Sequence, residues 1–343
     1  MNTPRMLCVI VVLGYASLTL GQSTRPAAPA AGDNFDRPSL VTLSFKDALA
    51  KDVYESLYAQ ANAKLVTWPD HLFDHWEKRL VTINLDKVPF WHAIDALEAQ
   101  TGLTVEDIGQ QMVLKEAHRA AAKGPVSITG PFMVVGENWG EPETIHRLKV
   151  FVEPRIRVLG HDRDATIEEA TDDRGQRINI ARQRRESFDD FSVGNAFDVD
   201  VDELQDRKVK FLRGSVRAVI LAREDKVEFE GIARANNVEK KLNGRRFLIN
   251  AINPEQGDWF VTVIAYNTDP PTAGLGQMRA TMIDANGIAL HSVGRGATGH
   301  PDRIQFTLSF TQGPDCGLPA KLVMEFPVET KEIKIPFEFG EAR

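Results

Sequence analysis

The chain has 343 residues, a formal net charge of −7 and two cysteines, Cys8 and Cys316. A mildly acidic chain lacks the basic surface that nucleic acid requires. Cys8 falls in a segment expected to be removed, which leaves Cys316 without an intramolecular disulfide partner. A mature chain of about 320 residues is too long for one core, so two or three domains are expected.

The amino terminus has the order of a secretory signal peptide. Arg5 precedes an uncharged run from Met6 to Leu20, and the small residues Thr19 and Gly21 stand at positions −3 and −1 of a possible cut before Gln22. The run falls short of the roughly 20 apolar residues that span a membrane. A lipid anchor needs a cysteine directly after the cut, whereas Cys8 lies inside the run. Residues 1–21 are therefore expected to be cleaved, and residues 22–39 form a Pro/Ala-rich linker that buries too little apolar surface to fold. No membrane span is expected after cleavage, and the expected location is periplasmic or secreted.

Residues 40–116 alternate strand and helix. Val41-Thr42-Leu43-Ser44-Phe45 alternates apolar and polar as a half-buried strand does, and Leu49, Val53 and Leu57 then mark one helical face. Val81 to Leu85 repeats the strand, Pro89 opens a second helix, Phe90, Ile94 and Leu97 make its buried face, and Gly102 ends it. The two halves match at an offset of 40 residues, Leu57 with Leu97 and Ala59-Gln60 with Ala99-Gln100. A sheet of two β-α-β halves with helices on one face is expected. The stretches Val41 to Leu49, Thr82 to Phe90 and Ala96 to Leu103 resemble the short N-terminal domain of secretins and TonB receptors. That resemblance implies a periplasmic protein-interaction module. Neither a secretin pore nor an outer-membrane barrel follows, so channel and receptor functions do not carry over.

After Lys123-Gly124-Pro125 the helical period gives way to short alternating runs bounded by turn residues, the pattern of sandwiches. Residues 125–233 are expected to form one β-sandwich and residues 237–343 an immunoglobulin-like one. Asp172-Asp173-Arg174-Gly175 and Asp284 to Gly287 share an Asp-x-x-Gly hairpin pattern, which hints that the two are related. The expected class is α+β: a βαββαβ-type module followed by two antiparallel immunoglobulin-like sandwiches.

Several side-chain groupings could carry chemistry. His71 and His75 stand four apart, each preceded by an Asp, and on a helical turn would share a face as zinc ligands. The Glu of the hydrolytic His-Glu-x-x-His motif is missing. Asp198, Asp200 and Asp202 alternate with Val199 and Val201, which puts three carboxylates on one strand face. They suit calcium or a solvated edge. Gly294-Arg295-Gly296-Ala297-Thr298-Gly299 fits the dinucleotide fingerprint, but no helix follows to hold a pyrophosphate, so a flexible loop is the expectation. Arg182-Gln183-Arg184-Arg185 and Lys240-Lys241 with Arg245-Arg246 are basic clusters able to meet anionic polysaccharide. Cys316 and Ser292 lack the neighbours of a nucleophile.

No catalytic set, cofactor site or metal site stands out beyond the two candidate metal groups. The expected role is a non-catalytic cell-envelope protein that binds a protein partner. The alternative is a carbohydrate- or ligand-binding exported protein, with Trp139 and Trp259 as stacking residues.

Overall fold

The computed structural model describes residues 35–340 except 70, 75–78, 109–110, 118–123, 138–146, 179–187, 190–193, 202–208, 243, 256, 267–277 and 301–302. The expected signal peptide and most of the linker lie outside these residues. Among the described residues no helix is long and apolar enough to cross a membrane.

In the amino-terminal region β1 (Leu40–Leu49) runs directly into α1 (Ala50–Gln60). After β2 (Thr67–Trp68) the pattern recurs as β3 (Leu80–Pro89), α2 (Phe90–Thr101), β4 (Leu103–Ile108) and β5 (Gln111–Glu116). The helices bury Val53, Tyr54, Leu57 and Tyr58 on one and Phe90, Trp91, Ile94 and Leu97 on the other, faces that follow helical periodicity, but Leu49, expected on the first face, ends β1 and is exposed. Gly102 ends α2 in the left-handed region at φ 68°, where a side chain would be strained.

The 40-residue repeat is a local two-fold relation. Leu40 pairs with Pro89 and Leu49 with Leu80, Leu43 with Leu85 and Phe45 with Ile83. Shifting every residue by 40 positions maps each of these pairs onto its counterpart. Asp47 and Lys87, equivalent under that shift, both adopt φ 50°.

The expected α+β class is overturned. Two α-helices, of 11 and 12 residues, stand among the described residues, and antiparallel strands make up most of the rest. The two β-α-β halves do not share a sheet either. β1 and β3 form a two-stranded antiparallel ribbon, while β2, β5 and β4 form a separate sheet. Alternation in Val41–Phe45 and Val81–Leu85 reports a buried face. It says nothing about which strand lies alongside.

The chain continues through β6 (Val126–Thr129), β7 (Phe132–Glu137), β8 (Arg147–Val152), β9 (Val158–Asp162), β10 (Thr166–Asp172), β11 (Phe188–Asp189), β12 (Ala196–Asp200) and β13 (Val209–Glu230). It ends with β14 (Val238–Leu242), β15 (Arg245–Glu255), β16 (Asp258–Tyr266), β17 (Arg279–Asp284), β18 (His291–His300), β19 (Arg303–Thr311) and β20 (Pro319–Phe339). Three sheets result. One has the order β12-β8-β7-β6, and another β14-β15-β16-β19-β18. Between them in the topology runs β11-β9-β13-β20-β17, with β10 also on β13.

β13 and β20, 22 and 21 residues long, pair antiparallel along nearly their whole lengths. At about 3.3 Å per residue such a ribbon reaches roughly 70 Å. It serves two cores. Val216, Ala218 and Ile220 of β13 and Ile333, Ile335, Phe337 and Phe339 of β20 pack with Val150 and Val152 of β8. Val227 and Phe229 of β13 and Leu322, Met324 and Phe326 of β20 pack with Phe247, Val261 and Phe306. Two self-contained immunoglobulin-like sandwiches divided near residues 231–237 are therefore not what forms. Each long strand begins in one core and ends in the other.

The two halves are nevertheless related. Asp172 Oδ1 accepts the backbone N–H groups of Arg174 and Gln176, and Asp284 Oδ1 accepts those of Asn286 and Ile288. Gly175 and Gly287 take the positive φ each turn requires, 76° and 85°. The ribbon shows a similar symmetry at a slightly different offset: Leu212 pairs with Phe339, and Phe229 with Leu322.

Charge on the ribbon makes stability depend on pH. Lys226 and Lys321 donate to Glu228 and hold its carboxyl down at about 2. The Gly317 N–H, followed by those of Ile288 and Asn286, holds Asp284 below the usual carboxylate range. A depressed carboxylate stabilises the fold above its unfolded pKa, and that stabilisation is lost as pH falls through the folded value. Stability is therefore expected to fall between about pH 4.5 and 2. Glu228→Gln should flatten that fall by no more than about 1 kcal/mol, because the pair is over a third exposed. Urea titrations across this range provide the measurement.

Candidate functional site

The acidic face expected on residues 198–202 lies on β12, an edge strand. Val199 and Val201 are buried, so the alternation was legible. The carboxylates are matched from the neighbouring β8. Arg147 lies 3.8 Å from Asp198 and 3.5 Å from Asp200, and Lys149 lies 3.5 Å from Asp198. Asp202 lies outside the described residues. Among the described residues no group of three or more His, Cys, Asp or Glu is placed to hold a metal ion. Partly exposed pairs of this kind contribute about 0–1 kcal/mol. Asp198→Asn is accordingly expected to change unfolding free energy by less than about 1 kcal/mol, with no response to added calcium in a melting experiment.

His71 sits in a tight turn at residues 71–74, where the Asp74 N–H donates to the His71 carbonyl. His75 lies outside the described residues, as do Arg182 to Arg185 and Trp139. Lys241 and Arg246 flank Glu239 at 3.9 and 3.4 Å, and the Arg246 guanidinium stacks on Tyr266 at 3.9 Å. Trp259 is 5% exposed and packs into a core, which removes it as a stacking platform for sugars. Cys316 stands in a turn with its Sγ 3.8 Å from the Ala289 carbonyl.

The glycine-rich segment departs most from expectation. Residues 294–299 are not a loop but the middle of β18. This strand is the edge of its sheet and pairs along its inner side with β19. Several other edges are shorter or carry more charge than β18, whose one formally charged residue is Arg295. β11 has two residues, β6 four and β17 six, while β12 carries Asp198 and Asp200 and β14 carries Glu239, Lys240 and Lys241. β1 and β3 match β18 at ten residues but carry Lys46, Asp47, Asp86 and Lys87.

Glycine weakens a strand interior, so three glycines in one edge strand need a reason. Conformation supplies one only for Gly294, which follows a register shift in the pairing with β19; Gly296 and Gly299 are in regular register and absent from the residues at positive φ. Space does not supply one. A methyl group at Gly296 or Gly299 would meet nothing within 4 Å, and one at Gly294 would only touch Ser309 at 3.8 Å. The outward row beside them is small and polar, with Thr307 opposite Gly296 and Ser309 opposite Gly294. Between Gly294 and Gly299 the strand carries only Arg295, Ala297 and Thr298 as side chains, so its backbone is thinly covered, with one charge. Its glycines were visible in the sequence, but composition alone made them read as a loop.

No known family profile matches the chain, and no curated protein matches it significantly. A solved structure described as the conserved domain protein from Bacillus anthracis aligns over 65% of this chain and 92% of its own, at 9% identity and a TM-score of 0.22.

Proposed function

We propose that this protein is a non-catalytic binding protein of the cell envelope, and that its partner adds an extended segment to the open edge of β18. The observation that carries the reading is the ten-residue exposed edge in which Gly296 and Gly299 serve neither conformation nor packing. Glycine in a strand marks places where another backbone comes close. Strand addition draws its affinity from main-chain hydrogen bonds, which a bare edge offers. The likeness of the amino-terminal segment to the secretin short N-terminal domain, and the signal-like first 21 residues, support the envelope as the setting.

The test uses Gly296→Lys combined with Thr298→Lys. Charged lysines guard natural edges against pairing, and the open space at Gly296 accepts the longer side chain. Tagged full-length protein recovered from envelope fractions is expected to retain a specific partner. The double variant, with an unchanged melting temperature, is expected to lose at least tenfold of it. Equal recovery by both proteins, or a purified protein without a partner but with hydrolase activity, would refute the proposal.

A further inference from the structure

Strand addition leaves open which chain supplies the added strand, and the order of residues along β18 bears on that choice. Its pairing with β19 slips between Ser292 and Gly294 and then stays regular to His300. The regular run is Gly294-Arg295-Gly296-Ala297-Thr298-Gly299-His300, with Ala297 at its centre. Gly294, Gly296, Ala297, Thr298 and Gly299 are all exposed, so both faces of the run are open as well as its outer edge.

Two copies of one strand pair antiparallel about a two-fold axis normal to the sheet. Residues directly opposite each other share a face, so the axis passes through a residue and not between two. With the axis at Ala297, His300 falls opposite Gly294 of the second copy, Arg295 opposite Gly299, and Thr298 opposite Gly296. Every glycine then faces a residue with a side chain, every residue larger than alanine faces a glycine, and Ala297 faces itself. Gly296 and Gly299 thereby acquire a reason that neither conformation nor packing within one copy gives them. Charge agrees with this register. The two Arg295 positions stand four residues apart along the pair, about 13 Å, whereas like charges directly opposite destabilise. The neighbouring centres lose these properties. An axis at Arg295 sets arginine against arginine, and one at Gly296 sets glycine against glycine. An axis at Thr298 leaves Gly294 and Arg295 beyond His300, where the partner strand ends.

We propose that β18 pairs with β18 of a second copy of this chain, antiparallel and centred on Ala297, which joins the two five-stranded sheets into one continuous sheet. This occupant presupposes that β18 accepts an added strand, the reading proposed above.

Sedimentation equilibrium of the purified full chain tests the assignment, with Ala297→Lys and Ala297→Glu as variants. Ala297 is exposed, so either substitution should leave the circular dichroism unchanged. The native chain is expected to dimerise with a dissociation constant below about 10 μM. Each variant alone sets two like charges against each other on the axis and should dimerise at least about tenfold more weakly. An equimolar mixture of the two sets lysine against glutamate and should recover the dimer. The proposal is overturned if the native chain stays monomeric at about 100 μM, if both variants dimerise as the native chain does, or if the mixture stays as weak as the single variants. A monomer whose envelope partner is lost in the double variant Gly296→Lys with Thr298→Lys overturns the second copy alone and leaves strand addition by a different chain. A monomer whose envelope partner survives that double variant overturns both.

Discussion

Truncation after Glu332 is expected to unfold the core built on β8 and the first half of β13, far from the cut in sequence. The deletion takes away Ile333, Ile335, Phe337 and Phe339, which are between 0 and 6% exposed and belong to that core. Burial of one such side chain stabilises by about 1.5–3 kcal/mol, so the four together contribute roughly 6–12 kcal/mol. This is comparable with the whole stability of a typical domain, about 5–15 kcal/mol. The truncated chain should lose its near-ultraviolet dichroism and the hydrogen-exchange protection of residues 148–152. A sharp native-like urea transition would contradict this.

Point changes give a graded form of the same result. Phe337→Ala is expected to lose about 3–5 kcal/mol, whereas Lys334→Ala, two-thirds exposed, should stay within about 0.5 kcal/mol. Gly214 belongs to this argument. A methyl group there would stand 2.5 Å from the Thr166 carbonyl oxygen and 2.8 Å from the Phe337 ring. Gly214→Ala must push β10 away from β13 or displace Phe337.

The second large effect concerns a carboxylate that takes no part in the proposed edge site. Glu153 is fully buried. It accepts the Ser39 N–H at 2.9 Å, the Ser39 hydroxyl at 2.7 Å and the Arg155 Nε at 2.9 Å. Ser39 leads into β1, and its carbonyl accepts the Phe90 N–H at the start of α2. Trp91 donates from its indole to the Pro131 carbonyl at 3.0 Å. These bonds tie the helical region to the segments beside β7 and β8. Arg155→Met strands the buried charge and is expected to lose about 3–5 kcal/mol. Adding Glu153→Gln removes the charge and should recover at least about 1 kcal/mol of that loss. A urea double-mutant cycle measures both. Simple additivity of the two changes would show that the pair is not coupled.

The sequence was informative where structure is local. The helical faces around Leu57 and Leu97, the αL residue Gly102, the Asp172 and Asp284 turns and the buried Val199 and Val201 all follow from spacings of a few residues. What escaped depended on distant partners. Nothing near Asp198 announces Arg147 or Lys149 on another strand. The alternation of Ile333 to Phe339 shows a strand with one buried face. It does not show that this face closes a core begun some 200 residues earlier. The glycines of β18 misled for a related reason: their strand is imposed by nine register partners on β19, against their own weak propensity.

The crossed ribbon also sets an order in time. Leu212 finds its neighbour only when Phe339 exists, and ordering the long loop between such partners makes closure slow. During synthesis the first core therefore waits, lacking its last wall, until β20 has been made. A ribosome paused anywhere before β20 holds a chain with Val216, Ala218 and Ile220 uncovered. Its two halves cannot mature one after the other, as independent sandwiches would, and become protected together, after the final strand arrives.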